Sequence, residues 1–158
     1  MPGVWAPAAG SVDLVTDTGR TPLTRDDRGW WTGGPELRDG DRYAFSLDGG
    51  DPRPDPRGLA LPDGPHGWSA YVDTSTFTWT DGDWSGRPLE GAVVYETHVG
   101  TFTPEGTFDA AIGRLEHLVD LGVDFVELLP VNGFNGTHNW GYDGVAWYAV
   151  QELSLIHI

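Results

Sequence analysis

A chain of 158 residues is long enough for one ordinary domain, or for a small domain and part of a second. Nine Arg and no Lys stand against 24 Asp and Glu, a formal net charge of −15, so phosphate backbones and anionic lipid surfaces are poor partners. The absence of cysteine excludes disulfides and thiolate metal sites, and no apolar run approaches the ~20 residues that span a bilayer. The opening Met1-Pro2-Gly3-Val4-Trp5 has neither the basic start nor the apolar stretch of a secretory signal, so the cytoplasm is the expected compartment. Eight Trp supply bulk that a disordered chain of 39% hydrophobic content would lack, and a folded protein is expected.

Residues 1–50 read as all-β. Val4–Ala6, Ser11–Val15, Gly29–Thr32 and Arg42–Leu47 are short candidate strands. Val12 and Leu14 fall on one face of theirs, as do Tyr43, Phe45 and Leu47. Turn signals separate them at Ala9-Gly10, Thr18-Gly19, Asp26 to Gly29, Gly33-Gly34-Pro35 and Asp39-Gly40-Asp41. Short strands so punctuated predict an immunoglobulin-like β-sandwich.

Residues 51–91 form an extended interdomain segment. Asp51-Pro52-Arg53-Pro54-Asp55-Pro56 cannot be helical, because each Pro removes a donor and biases its predecessor to extended backbone. The stretch also carries Trp68, Tyr71, Phe77, Trp79 and Trp84, too much aromatic surface for a free tether, so it is expected to pack along a neighbouring domain.

Residues 92–152 change to a strand–helix–strand pattern. Ala92–Val99 begins with the continuous apolar run of a buried parallel strand. Thr107 can cap a helix that carries Phe108, Ala111, Ile112, Leu115, Leu118 and Val119 on one stripe, with Gly122 as its stop. Val123–Leu129 is the second strand, ended by Pro130, and the three elements make one right-handed βαβ unit.

The run Val94-Tyr95-Glu96-Thr97-His98-Val99-Gly100-Thr101-Phe102-Thr103-Pro104-Glu105-Gly106-Thr107-Phe108 resembles the first barrel strand and loop of the maltooligosyltrehalose trehalohydrolase family, within the α-amylase superfamily of glycoside hydrolases. Glu127 to Asn132 and Asn139 to Val145 continue the likeness, and Val4 to Pro7 with Tyr43 to Gly49 resemble the family's N-terminal β-sandwich. The resemblance covers residues 4–152 and implies a multidomain β plus α/β protein: a sandwich followed by the first βαβ unit of a truncated TIM barrel. Residues 153–158 match nothing in the family and read as a non-native tail.

Glycoside hydrolysis uses two carboxylates, ~5–5.5 Å apart for retention and ~6.5–9.5 Å for inversion. Asp109, Glu116 and Asp120 fall off the helix stripe and read as a solvated face, while Glu96 and Glu127 sit mid-strand, where a barrel-interior ion pair or hydrogen bond is the simpler reading. The resemblance places the family's catalytic carboxylates on later strands, so no catalytic residue is assigned here. Barrel sites form at the carboxyl ends of strands, which selects His98–Gly106 and Asn132–Asp143. By resemblance, Tyr142 stacks on the sugar beside the cleaved bond, as a flat ring can cover the C–H face of a pyranose. Trp140 is either a second platform or a plug. Asp143 either bonds a sugar hydroxyl or fixes the turn around Gly141. His98 and His138 could line the same cleft, but neither has metal-ligand spacing, and Asp81-Gly82-Asp83 lacks the remaining ligands of a calcium loop and reads as a turn. No metal and no cofactor is expected.

Two classes of function follow. In the first, the chain is the N-terminal portion of a glycosidase that releases trehalose from maltooligosyltrehalose by cleaving the adjacent α-1,4 bond, with an α-glucan branching or debranching enzyme as the alternative. In the second, the sandwich is an α-glucan-binding module. Whether Trp5, Trp30 and Trp31 face solvent separates the two.

Overall fold

The computed structural model describes residues 1–151. The tail read at 153–158 lies outside the described residues.

The chain begins with β1 (Val4–Trp5), β2 (Val12–Thr16), β3 (Gly19–Pro22), β4 (Thr24–Arg25), β5 (Trp30–Thr32), β6 (Arg42–Leu47) and β7 (Ser69–Ala70). They form two antiparallel sheets, one ordered β3-β2-β6-β7 and one ordered β1-β5-β4. Leu14 pairs with Phe45 and Val12 with Leu47 across β2 and β6. Val12, Leu14, Tyr43 and Phe45 are buried as the alternation predicts, and they share one apolar cluster with Val4, Leu23, Trp31 and Leu37 from the other sheet and its connections. Each large apolar side chain so buried contributes about 1.5–3 kcal/mol. Leu47, predicted on the same face, is instead exposed at the strand's end.

β3 and β4 were not expected, because Gly19-Arg20-Thr21-Pro22 has no apolar alternation. The Thr18-Gly19 turn signal is a hairpin instead: Thr16 pairs with Gly19, whose φ of +135° is open to glycine, and the chain returns along β2. Partners in the sheet, rather than side-chain pattern, make β3 a strand.

Residues 51–70 lie against β6. Phe45 and Arg53 exchange backbone hydrogen bonds of 2.8 Å each, and β7 pairs with Arg42 and Tyr43. These pairings close the free edge of β6, and on the strand's second face Ala44 and Ser46 are fully buried. Ser46 Oγ accepts from Arg20 at 2.9 Å and donates to the Gly50 carbonyl at 2.7 Å, so its burial leaves no polar atom unmet. Beyond Tyr71 the chain is open, with a 3₁₀ turn at Thr74–Thr76 and exposed Phe77, Trp79 and Trp84. Asp81-Gly82-Asp83 is a turn, closed by the Trp84 N–H on the Asp81 carbonyl at 2.9 Å.

Then come β8 (Val94–Thr97), α1 (Val99–Phe102), α2 (Phe108–Ile112), α3 (Leu115–Asp120) and β9 (Phe125–Leu128). β8 and β9 are parallel, with Val94 opposite Phe125 and Thr97 opposite Leu128. The expected strand ends two residues early, because His98 becomes the N-cap of α1 and Val99 its first residue. The expected single helix is two. Thr107 caps the first, its Oγ1 accepting from Ala110 N at 3.2 Å, and Gly113 and Arg114 then interrupt it. Gly113 is a poor helix former, and of the predicted stripe only Leu118 is buried, with Ile112, Leu115 and Val119 exposed. Among the described residues the pair ends with a small antiparallel ribbon, β10 (Asn132–Gly133) with β11 (Ala146–Val150).

Candidate functional site

Because β8 and β9 run in parallel and in register, both chains leave them at the same end, where Leu129 N donates to the Thr97 carbonyl at 2.9 Å. One exit is His98 and α1. The other is Pro130-Val131, which leads into the ribbon and the loop 134–145 that β10 and β11 enclose. The two selected segments, His98–Gly106 and Asn132–Asp143, therefore meet.

Gln151 anchors the loop's base. Its N–H donates to the Val131 carbonyl at 2.8 Å, and its buried Oε1 accepts from Phe134 N at 3.1 Å. Nothing in the sequence marked this glutamine. Higher in the loop Asn139 does the equivalent work: its Oδ1 accepts from Gly141 N at 2.6 Å and Tyr142 N at 3.2 Å. The turn is thus held by the Asn139 carboxamide and not, as one reading had it, by the Asp143 carboxylate. An Asn two residues ahead of a Gly is a turn signal that could have identified it. Gly141 has φ of +93°, and a Cβ there would sit 2.8 Å from Pro130 Cδ, so backbone and neighbour both require glycine.

His98 bonds through Nε2 to the Asn139 carbonyl at 2.8 Å, and its ring meets the Trp140 indole edge-on at 5.9 Å. An open cleft of about 550 Å³ lies between the segments, walled by His98, Thr101, Glu105, Thr137, His138 and Trp140. Trp140 and both histidines line it; Tyr142 and Asp143 do not. Tyr142 stands on the same turn with 84% of its surface exposed, and Trp140 has 67% exposed. The region therefore offers two largely exposed aromatic rings, Trp140 in the cleft and Tyr142 beside it, with a histidine hydrogen-bonded in place and Glu105 as the carboxylate that lines the cleft.

Among the described residues the mid-strand carboxylates make neither the ion pair nor the hydrogen bond expected of them. Glu96 and Glu127 are register partners on adjacent strands and both are exposed. The ion pairs among the described residues are Arg42 with Asp63 and Arg87 with Asp124. Asp109, Glu116 and Asp120 are exposed on their helices, as a solvated face requires.

The perturbed buried carboxyl belongs to the first sheet. Asp55 accepts the Tyr43 hydroxyl at 2.8 Å and the Arg57 N–H at 2.8 Å, and its own N–H donates to Ser69 Oγ. Burial raises its pKa above the ordinary carboxyl value, and the bonds from Arg57 and Tyr43 oppose this. Burial and the neighbouring Asp55 charge push the Tyr43 hydroxyl well above the usual phenol range. Both are structural groups under the sheet.

The Trp test goes against a flat platform on the sheets. Trp31 is core, 6% exposed, with Nε1 donating to the Ala6 carbonyl at 3.0 Å. The Arg57 guanidinium lies 5.2 Å over the half-buried Trp30 ring, and of the three only Trp5 is exposed, its Nε1 donating to the Arg28 carbonyl at 3.0 Å.

No family model matches the chain. It is 58% identical over 157 residues to the malto-oligosyltrehalose trehalohydrolase of Arthrobacter ramosus, covering 94% of this chain and 27% of that protein. A crystal structure from Salmonella typhimurium, described as a candidate alpha amylase, superimposes with a TM-score of 0.87 at 40% identity, over 97% of this chain and 26% of that one. The pullulanase SAP of GBS, in complex with maltotetraose, does so with a TM-score of 0.73 at 25% identity, over 96% and 27%. The chain spans about a quarter of the length of the relatives it matches.

Proposed function

We infer, for a chain that belongs to the malto-oligosyltrehalose trehalohydrolase family and spans about a quarter of such a protein, that its parent is a glycosidase that releases trehalose from maltooligosyltrehalose. The bond cleaved is the α-1,4 linkage next to the terminal trehalose. This segment supplies substrate contact rather than acid–base chemistry. The observation that carries the reading is the loop at the shared end of β8 and β9, which holds Trp140 and Tyr142 with their faces free. A pyranose presents C–H bonds to such a ring, and hydroxyls to polar groups at its rim. Tyr142 is the principal contact and Trp140 a second, while Asp143, unbonded to the turn, is free to accept from a sugar hydroxyl. We assign no catalytic carboxylate to the chain: Glu96 and Glu127 lie within strands rather than at their carboxyl ends, and Glu105 is the single carboxylate lining the cleft among the described residues, where the reaction uses two.

The architecture we propose is an immunoglobulin-like β-sandwich over residues 1–50, an extended segment over 51–91 whose first part docks beside β6, and the first βαβ unit of a TIM barrel from residue 92. The exposed Val94, Val126 and Leu128 support the last point, because a two-stranded parallel sheet with open apolar faces is half of a layer.

The test is a chimera of the Arthrobacter ramosus enzyme in which residues 1–151 replace the matching segment. Trehalose should be released from maltooligosyltrehalose. A folded chimera that instead builds or removes α-1,6 branches would support the branching or debranching alternative, towards which the pullulanase likeness points. One with no action on any α-glucan would overturn the reading.

A further inference from the structure

We propose that His98 is a positioning residue: its imidazole holds the 139–142 turn in the conformation that presents Trp140 and Tyr142. The inference rests on the reading of that loop as the sugar-contacting one.

His98 is itself fixed from below. Its carbonyl accepts from Thr101 N and Phe102 N, both at 3.0 Å, as the N-cap of α1, and Thr97 before it is locked in the β8–β9 ladder. The ring therefore projects from a rigid junction of strand and helix. From there it makes two contacts with the loop, 41 residues away in sequence: Nε2 to the Asn139 carbonyl at 2.8 Å, and an edge-to-face contact with the Trp140 indole at 5.9 Å and 65°. A carbonyl oxygen can only accept, so Nε2 carries the proton. Asn139 passes the constraint on, since the same residue whose carbonyl is held accepts Gly141 N and Tyr142 N through its side chain. Pro130, against Gly141, closes the third side. Remove the imidazole and Asn139 loses its tie to the strand end, so the bonds that Gly141 N and Tyr142 N donate to its side chain open more often.

The alternative is that His98 merely fills space beside Trp140. The two accounts part on which nitrogen matters. Gln places its amide nitrogen near the Nε2 position, whereas Asn reaches only as far as Nδ1. Under the proposal, His98→Gln restores the bond to Asn139, and His98→Asn and His98→Ala do not.

The experiment compares the 158-residue chain and these three variants by amide hydrogen exchange at Gly141 and Tyr142, with the 15N imidazole spectrum of the wild type. The expected result is a neutral ring protonated at Nε2, wild-type protection in His98→Gln, and exchange faster by roughly fivefold or more in His98→Asn and His98→Ala, the scale of one net hydrogen bond. Equal protection in all four proteins, with wild-type exchange retained in β2 and β6, overturns the proposal, as does a ring protonated only at Nδ1. Neither readout involves sugar. Adding maltotetraose to the wild type tests the loop's reading separately, because it moves the Trp140 and Tyr142 resonances only if the loop meets glucan.

Discussion

Tyr142 has a ring that is 84% exposed on a turn whose backbone is fixed, so its surface is available without reorganisation. Stacking made with the reacting sugar stabilises the transition state, so in the chimera Tyr142→Ala should lower kcat/KM roughly tenfold or more, about 1.4 kcal/mol. Unchanged steady-state kinetics in a folded variant would remove Tyr142 from the site. Asp55 gives a second residue-level expectation. Its folded pKa is raised above the unfolded value of 3.8, so the folded state holds that proton more tightly. Its contribution to stability is therefore full below about pH 3.8 and is lost as pH rises through the folded value. Urea unfolding of wild type and Asp55→Asn across this range should show the wild type's relative stability falling as pH rises. A difference that stays flat or grows contradicts the burial argument. At this scale the sequence pointed to Tyr142 through resemblance to a family, and to Trp140 and Asp143 through their place in the loop after the second barrel strand. Asn139 was legible from its spacing to Gly141. Gln151 was not, because a buried amide after a strand has no local pattern to set it apart from an exposed one.

The elements that came through from the sequence are those whose side chains alternate, cap or run apolar between turn signals. β2 and β6 bury Val12, Leu14, Tyr43 and Phe45 as the period of two requires, and Thr107 caps α2 through its hydroxyl. β3, β4 and β7 were missed because polar, Gly- and Pro-containing segments became strands only by pairing with neighbours. The single helix became two for the opposite reason. Its apolar stripe was real, but among the described residues Ile112, Leu115 and Val119 have no layer packed over them, and the helix gives way at Gly113-Arg114. α2 is five residues long, too short to persist on propensity, so its cap should dominate its stability. Thr107→Ala should cost about 1 kcal/mol locally, seen as roughly fivefold faster exchange at Ala110 and Ala111. Exchange as slow as in the wild type would show that packing, not the cap, holds the helix.

Across the whole molecule, burial is uneven in a way that bears on function. The two sheets of the first 70 residues share a core that includes Trp31, while Val94, Val126, Leu128, Trp147 and Tyr148 lie open on the β8–β9 and β10–β11 pairs. Open parallel strands of this kind need further layers, and the chain spans only about a quarter of its relatives. Among the described residues the cleft beside its loop is lined by one carboxylate, Glu105, whereas glycoside hydrolysis uses two. The direct measurement is trehalose release from maltooligosyltrehalose by the purified 158-residue chain, assayed beside the chimera that carries the same segment. The account predicts release by the chimera and none above the uncatalysed background by the chain alone. Release by the chain alone, with contaminating enzyme excluded, or a folded chimera that releases none, would contradict it.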